Sequence, residues 1–227
     1  METNSRVSDL LQAIKNGRHR IGEIEFRANN SNDRFVICHH ADTERSQAPD
    51  HGGLEIHHGP EDSRRLSLYA EDGSYRFLKA QRNLRSGWLM LLESPADLKL
   101  ALDQFYPAAL GLWLAHRRET LEIEHLRQKL DRQSGMYRRA KMLTDEQAQS
   151  LVPATCAAAP GCARRILWQI SPDQPLAAGP ASSATGIADR VPPDEAIPLL
   201  CAAPCNHFIA ECLATAKKQP PPPPSAP

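Results

Sequence analysis

Apolar and polar positions along the chain change period twice. Through the first ninety or so residues the pattern favours strands. In "IGEIEFRA", Ile21, Ile24 and Phe26 interleave with polar positions, as they do in a half-buried strand. "DRFVICHH" and "GWLMLLE" read as two further strands, with "GLEIHH" as a possible third. In "RLSLYAEDGSYRFL", Leu66, Leu68 and Ala70 alternate on one side, and Tyr75 and Phe77 on the other, of Asp72-Gly73. That dipeptide suits a tight type I′ turn, so a hairpin over 65–78 is expected at the centre of a small antiparallel sheet. A short amphipathic helix, "VSDLLQAIKNG", precedes the strands and ends at Gly17.

From Ser94 the spacing becomes helical. Leu98, Leu102, Phe105, Leu112 and Trp113 recur every three or four positions. Ser94 is a good N-cap and Pro95 a good first residue. Pro107 breaks or kinks this helix near its middle. "EIEHLRQKLDRQS" continues as a charged helical stretch, "GMYRRAKML" restarts it, and Thr144 caps a helix in "TDEQAQSLV". Beyond Pro153 the pattern fades. Residues 171–198 are rich in Ala, Pro, Ser and Gly and read as a long loop. The closing "QPPPPPSAP" has nothing to pack.

The periodicities predict an α+β protein. An N-terminal small antiparallel sheet with helices comes first, followed by a mainly helical or irregular cysteine-rich domain. The expected boundaries are 1–122, 123–216 and a Pro-rich tail over 217–227. Lysine plus arginine and aspartate plus glutamate both total 27, so the formal net charge is zero. No global field then draws the chain to nucleic acid or a membrane surface. The N-terminus lacks a signal-peptide core, and "AALGLWLA" is too short to cross a bilayer. The expected location is therefore cytoplasmic, where clustered cysteines more often serve as metal ligands or redox groups than as disulfides.

The chain has six cysteines, five of them after residue 155. Cys156 and Cys162 are separated by "AAAPG", whose Pro160 and Gly161 let the chain bend back. Cys201 and Cys205 flank "AAP". Cys205 is expected to open the last helix, where backbone N–H groups and the helix dipole favour a thiolate. Four thiolates from two loops can close around a metal centre. Structural zinc prefers tighter paired spacings than C-x5-C. Iron–sulfur clusters tolerate wider ones, though no familiar ferredoxin spacing is present. Both remain open on spacing alone. Cys38 sits in an apolar strand pattern and Cys212 two helical turns after Cys205, so both are expected to pack in a core. His207 is expected to face solvent. His39, His40, His57 and His58 lie on neighbouring strands, where alternation sends each pair to opposite faces. Arg138, Arg139, Arg164, Arg165, Tyr137 and Trp168 flank Cys156 and Cys162 and can offset the charge of a thiolate cluster.

In order along the chain, "YRFLKAQRNLRSGW", "FYPAALGLW", "RQSGMYRRA", "CARRILW" and "C-x-x-P-C-N-x-F" resemble a family described as a four-iron–four-sulfur cluster-binding domain with an attached stabilising domain. That family is associated with the small sirohydrochlorin cobaltochelatases of cobalamin and siroheme synthesis. The resemblance spans roughly residues 6–214. It implies a [4Fe–4S] cofactor, with zinc as the alternative, held by Cys156, Cys162, Cys201 and Cys205. It further implies a redox or electron-transfer role, or an accessory one, beside a sirohydrochlorin chelatase or another tetrapyrrole-pathway enzyme. The paired metal-binding histidines of a chelatase domain are not found in this sequence. Nor is there a phosphate loop, a nucleophile elbow or a recognisable carboxylate pair. The expectation is a cofactor-binding module without catalytic activity of its own.

Overall fold

A computed structural model describes residues 18–29, 34–132, 135–173, 177 and 196–218. The expected N-terminal helix, most of the loop over 171–198 and the proline tail lie outside them. In chain order the strands are β1 (Arg18–Ile21), β2 (Ile24–Asn29), β3 (Arg34–His39), β4 (Glu55–His58), β5 (Trp88–Leu92), β6 (Arg165–Ile166), β7 (Ala196–Ile197) and β8 (Leu200–Cys201). The helices are α1 (Asp62–Leu66), α2 (Pro95–Phe105), α3 (Ala109–Arg117), α4 (Leu126–Leu130), α5 (Gly135–Ala140), α6 (Asp145–Val152) and α7 (Asn206–Lys218). The class is α+β, as the periodicity predicts. The described chain divides into two units. One comprises residues 18–121, 162–164 and 196–200, and the other comprises 122–161, 165–173, 177 and 201–218.

The first unit is built on a sheet of order β4-β5-β3-β2-β1-β7. Its centre is antiparallel, but β4 runs parallel to β5 and β7 parallel to β1. The sheet is therefore mixed rather than purely antiparallel. The stretch read as a single strand, "IGEIEFRA", folds into the β1–β2 hairpin, with Ile21 opposite Ile24 across a two-residue turn. Gly22 makes that turn at φ +57°, and a Cβ there would lie 2.6 Å from the Tyr106 ring. Ile21, Ile24, Phe26, Ile37 and Met90 point into one core, where α2 lays down Leu98, Leu102 and Phe105. Trp88 and Phe105 stack at 5.1 Å. Ser94 Oγ accepts from Asp97 N–H at 3.1 Å and caps α2, with Pro95 as the first helical residue. The helix stops at Phe105, two residues before Pro107, and restarts at Ala109.

The expected central hairpin over 65–78 is not part of the sheet. Leu66 ends α1 instead, and only isolated antiparallel bridges, such as Tyr69 to Tyr75, mark a turn around Gly73. Leu66 and Ala70 are buried as the alternation predicts, but beyond the turn the burial is reversed. Tyr75 and Phe77 are 62% and 76% exposed, whereas Arg76 is 1% exposed. Its guanidinium donates to Asn83 Oδ1 at 2.9 Å and to the carbonyls of Ser67, Lys79 and Gln81 at 3.1, 2.7 and 2.8 Å. A cation with this many acceptors can be buried where an unpaired one cannot. The chain therefore turns its aromatics outward and its arginine inward.

The second unit packs α4, α6 and α7 around Leu126, Leu130, Val152, Trp168, Phe208 and Ile209. The charged stretch after Arg117 is not one continuous helix. It turns at Arg118–Glu119 and runs without regular structure to His125, whose Nδ1 accepts from Gln128 N–H at 3.2 Å and starts the short α4. Thr144 and Gln147 form a reciprocal capping box at the start of α6, as the Thr-x-x-Gln spacing favours.

Candidate metal centre

Directly after α6, residues Pro153–Ala157 wind into one π-helical turn carrying Cys156, and Ala158 N–H closes it on Pro153 O at 3.1 Å. Such turns widen the helix and re-aim one side chain, and they recur at functional sites. The expected bend follows. Gly161 adopts φ +74° and its N–H reaches Ala158 O at 2.7 Å.

Cys162 belongs to the first unit. Its backbone forms an antiparallel bridge with Gln81, and the next N–H, of Ala163, donates to Ala80 O at 2.8 Å. Those partners lie in the loop that Arg76 holds. Two residues after Cys162, Arg164 donates to Leu200 O at 2.9 Å and to Pro107 O at 3.1 Å. Its guanidinium is thus a backbone tether on the residue just before Cys201, a role beyond the charge compensation read from sequence. The polar-versus-apolar pattern carried no signal for either arginine.

In the second unit, Leu167 N–H donates to Cys201 O at 3.0 Å, and Glu124 N–H to Ala202 O at 3.0 Å. These bonds pin the turn between Cys201 and Cys205. Cys201 Sγ lies 3.3 Å from Ala203 O. Cys205 is exposed, and its carbonyl accepts the first α7 bond from Ile209 N–H at 3.1 Å. It therefore stands at the start of the helix, as expected. Asn206, the first residue of α7, is reached by Tyr137 Oη at 3.4 Å. Cys156 and Cys201 border the same apolar cluster, to which Trp168 and Phe208 belong, their rings tilted at 52° and 5.2 Å apart. Trp168 is buried, and among the described residues its Nε1 has no hydrogen-bond partner.

Burial sorts the six cysteines. Cys38 and Cys212 are buried, Cys156, Cys162 and Cys201 are half-buried and Cys205 is exposed; none is in a disulfide. Desolvation pushes the Cys38 thiol up to about 11 and the Cys212 thiol up to about 12. Both stay protonated and suit core packing rather than ligation. The four more accessible sulfurs are the four implied as ligands, and their chemistry fits an iron–sulfur group. Among the described residues, no three His, Cys, Asp or Glu side chains form a set able to hold a single metal ion. The four cysteines are accordingly not gathered into one ligand set among the described residues, which bears on zinc and on an iron–sulfur cluster alike. The histidine pairs do not form a cluster either. His57 is buried between Asp62 and Glu55, at 3.0 and 3.3 Å, while His58 is exposed. His207 is half-buried rather than solvent-facing.

Two adjoining matches define the class of protein. Residues 118–213 match the 4Fe-4S iron-sulfur cluster binding domain, and residues 4–117 match the DR2241 stabilising domain. The chain belongs to the DR2241 stabilising-domain family, with the cluster-binding domain following it. Among solved structures it is similar to DR2241 from Deinococcus radiodurans, with a TM-score of 0.71 and 24% identity. That protein is described as a multi-domain protein with structural similarity to chelatases and two additional novel domains. The likeness covers 96% of this chain and 42% of that one. No curated protein matches. Among the described residues, no helix is long and apolar enough to cross a membrane.

Proposed function

We propose that the chain binds one [4Fe–4S] cluster through Cys156, Cys162, Cys201 and Cys205. In this reading it serves as a redox or accessory module for an enzyme of tetrapyrrole metal chelation. The observation that carries the ligand assignment is the sorting of thiols by burial: the two cysteines outside the set are the two locked in apolar cores. The family match to a cluster-binding domain supports the cofactor. When bound, such a cluster supplies one-electron redox chemistry or a rigid staple.

The residues of the chain would divide the work. Cys205 presents its sulfur at the α7 N-terminus, where the helix dipole stabilises negative charge. Arg76 and Arg164 fix the backbone around Cys162 and before Cys201. The Leu167 and Glu124 N–H groups fix the turn between Cys201 and Cys205. Phe208 and Trp168 supply an apolar wall that limits water beside two of the sulfurs. The chelation context rests on the chelatase-like relative, whose length this chain spans only in part. No catalytic activity of the chain's own is part of the proposal. Its partner would be a sirohydrochlorin chelatase or similar enzyme.

The test is anaerobic purification followed by redox titration with electron paramagnetic resonance. A brown protein giving a cubane signal on one-electron reduction or oxidation supports the reading. A colourless protein with stoichiometric zinc contradicts it, because d10 zinc has neither colour nor redox chemistry. For the chelation role, metal insertion into sirohydrochlorin by a partner chelatase is measured with and without the chain. An unchanged rate and yield would remove that part.

A further inference from the structure

The first unit holds a pocket of about 220 Å³ where β7 lies beside β1, and neither the cysteine chemistry nor the family match accounts for it. One wall is apolar, formed by Ile197, Pro198 and Leu199. The opposite lining carries Arg20, Arg82 and His40, with Glu23 as its carboxylate. Glu23 is already engaged: its Oε2 accepts from Leu84 N–H at 3.0 Å and lies 3.8 Å from Arg76. Arg20 uses only Nε internally, on Gly22 O at 2.9 Å. No ion pair is made by Arg20 or Arg82 among the described residues. Burial, before anything else, lowers the pKa of Arg20; Tyr106, Glu23 and Glu25 oppose that shift, and Arg82 adds to it more weakly than any of them.

Glu23 already serves Leu84 N–H and Arg76, so the two arginines of this partly desolvated cleft keep donors for a further anion. A guanidinium pair beside an apolar wall is the chemistry that receives an oxyanion on a short hydrocarbon stem, since arginine's planar fork matches a carboxylate. The volume equals that of about seven waters at roughly 30 Å³ each, enough for a carboxylate of a few carbons. His40 is pushed down to about 4, chiefly by burial and then by Arg20. Its imidazole is therefore neutral at pH 7 and can donate or accept a hydrogen bond without adding charge.

We propose that this pocket is a binding site for a short-chain carboxylate, free or borne as an arm of a larger molecule, held by Arg20 and Arg82 against the Ile197–Leu199 wall. The site does not depend on the cluster assignment. It does adjoin the proposed ligands along the chain: Ala163, which lines it, follows Cys162, and Leu199 comes two residues before Cys201. Occupancy would stiffen both approaches.

The experiment titrates the 15N-labelled full chain at constant ionic strength with sodium propionate, propionamide and inorganic phosphate, following the amide signals of Gly22, Ala163 and Leu199. Propionate is expected to give saturable shifts and the isosteric, uncharged propionamide none. Arg82→Gln, at an exposed position, is expected to weaken propionate at least about tenfold, the scale of one charge-assisted pair. Arg20→Gln is expected to do the same. Saturation by phosphate but not propionate would overturn the carboxylate assignment. Equal response to propionate and propionamide, or undiminished binding in both variants, would overturn the site.

Discussion

Replacing Arg76 by alanine removes one side chain from the surface of nothing and from the interior of a loop. The guanidinium is almost fully buried and makes four hydrogen bonds, to Asn83 Oδ1 and to three carbonyls. Hydrogen bonds to a charged donor contribute about 1.5–3 kcal/mol each, but four on one group are not additive. A better guide is the loss of one partner from a buried charged network, about 3–5 kcal/mol. Glu23, 3.8 Å away, would then lack its cation. For a unit of this size that corresponds to a fall in melting temperature of about 10–20 °C. Lysine keeps the charge but cannot reach four acceptors from one plane, so Arg76→Lys should recover less than half of the loss. Urea unfolding followed by tryptophan fluorescence, with Trp88 in the core as reporter, measures this. Because Lys79, Ala80 and Gln81 form the strip on which Cys162 docks, the same variant should also hold iron less firmly. An Arg76→Ala protein within about 1 kcal/mol of the parent would refute the claim that this cation organises the loop.

The other expectations follow from single contacts. Gly22→Ala forces a left-handed backbone and drives a methyl to 2.6 Å from Tyr106, so a loss of about 2 kcal/mol or more is expected by chemical denaturation; no measurable change would disprove the close approach. Cys212→Ala should cost about 1–2 kcal/mol of stability through the small cavity left in the second core, with iron content unchanged; iron loss equal to that of Cys205→Ser would make Cys212 a ligand. His40 titrates near 4 in the fold against an ordinary value near 6.5, so the unfolded chain takes up its proton first. Its contribution to stability is therefore present above about pH 6.5 and lost as pH falls toward 4. Denaturation midpoints of the parent and His40→Gln should converge over that window, and a constant difference from pH 7 to 4 would count against the burial of the imidazole.

Much of the architecture was legible because its signals are local. Ser94-Pro95 announced α2, Pro107 its end, and Thr144 with Gln147 the start of α6; each is satisfied by atoms within one turn. Cys205 at the start of α7 and Cys212 on its buried face follow from helical spacing. The failures are non-local. The alternation in residues 65–78 points Tyr75 and Phe77 inward, and only the carbonyls of Ser67, Lys79 and Gln81, arranged by the fold, decide that Arg76 turns inward instead. β7 is two residues long, and its pairing with β1 joins positions more than 170 apart, so nothing in its own neighbourhood marks it. The cysteine set was visible as spacing. The tether from Arg164 to Leu200, which ties the two cysteine regions through the backbone, was not.

The central claim is tested most directly by iron and acid-labile sulfide per chain in anaerobically purified protein, measured for the parent and the six single Cys→Ser variants. The account predicts about four of each per parent chain, severe loss in the variants of Cys156, Cys162, Cys201 and Cys205, and parental content in those of Cys38 and Cys212. Iron retained in any one of the first four, or lost from a folded Cys38 or Cys212 variant, would contradict it.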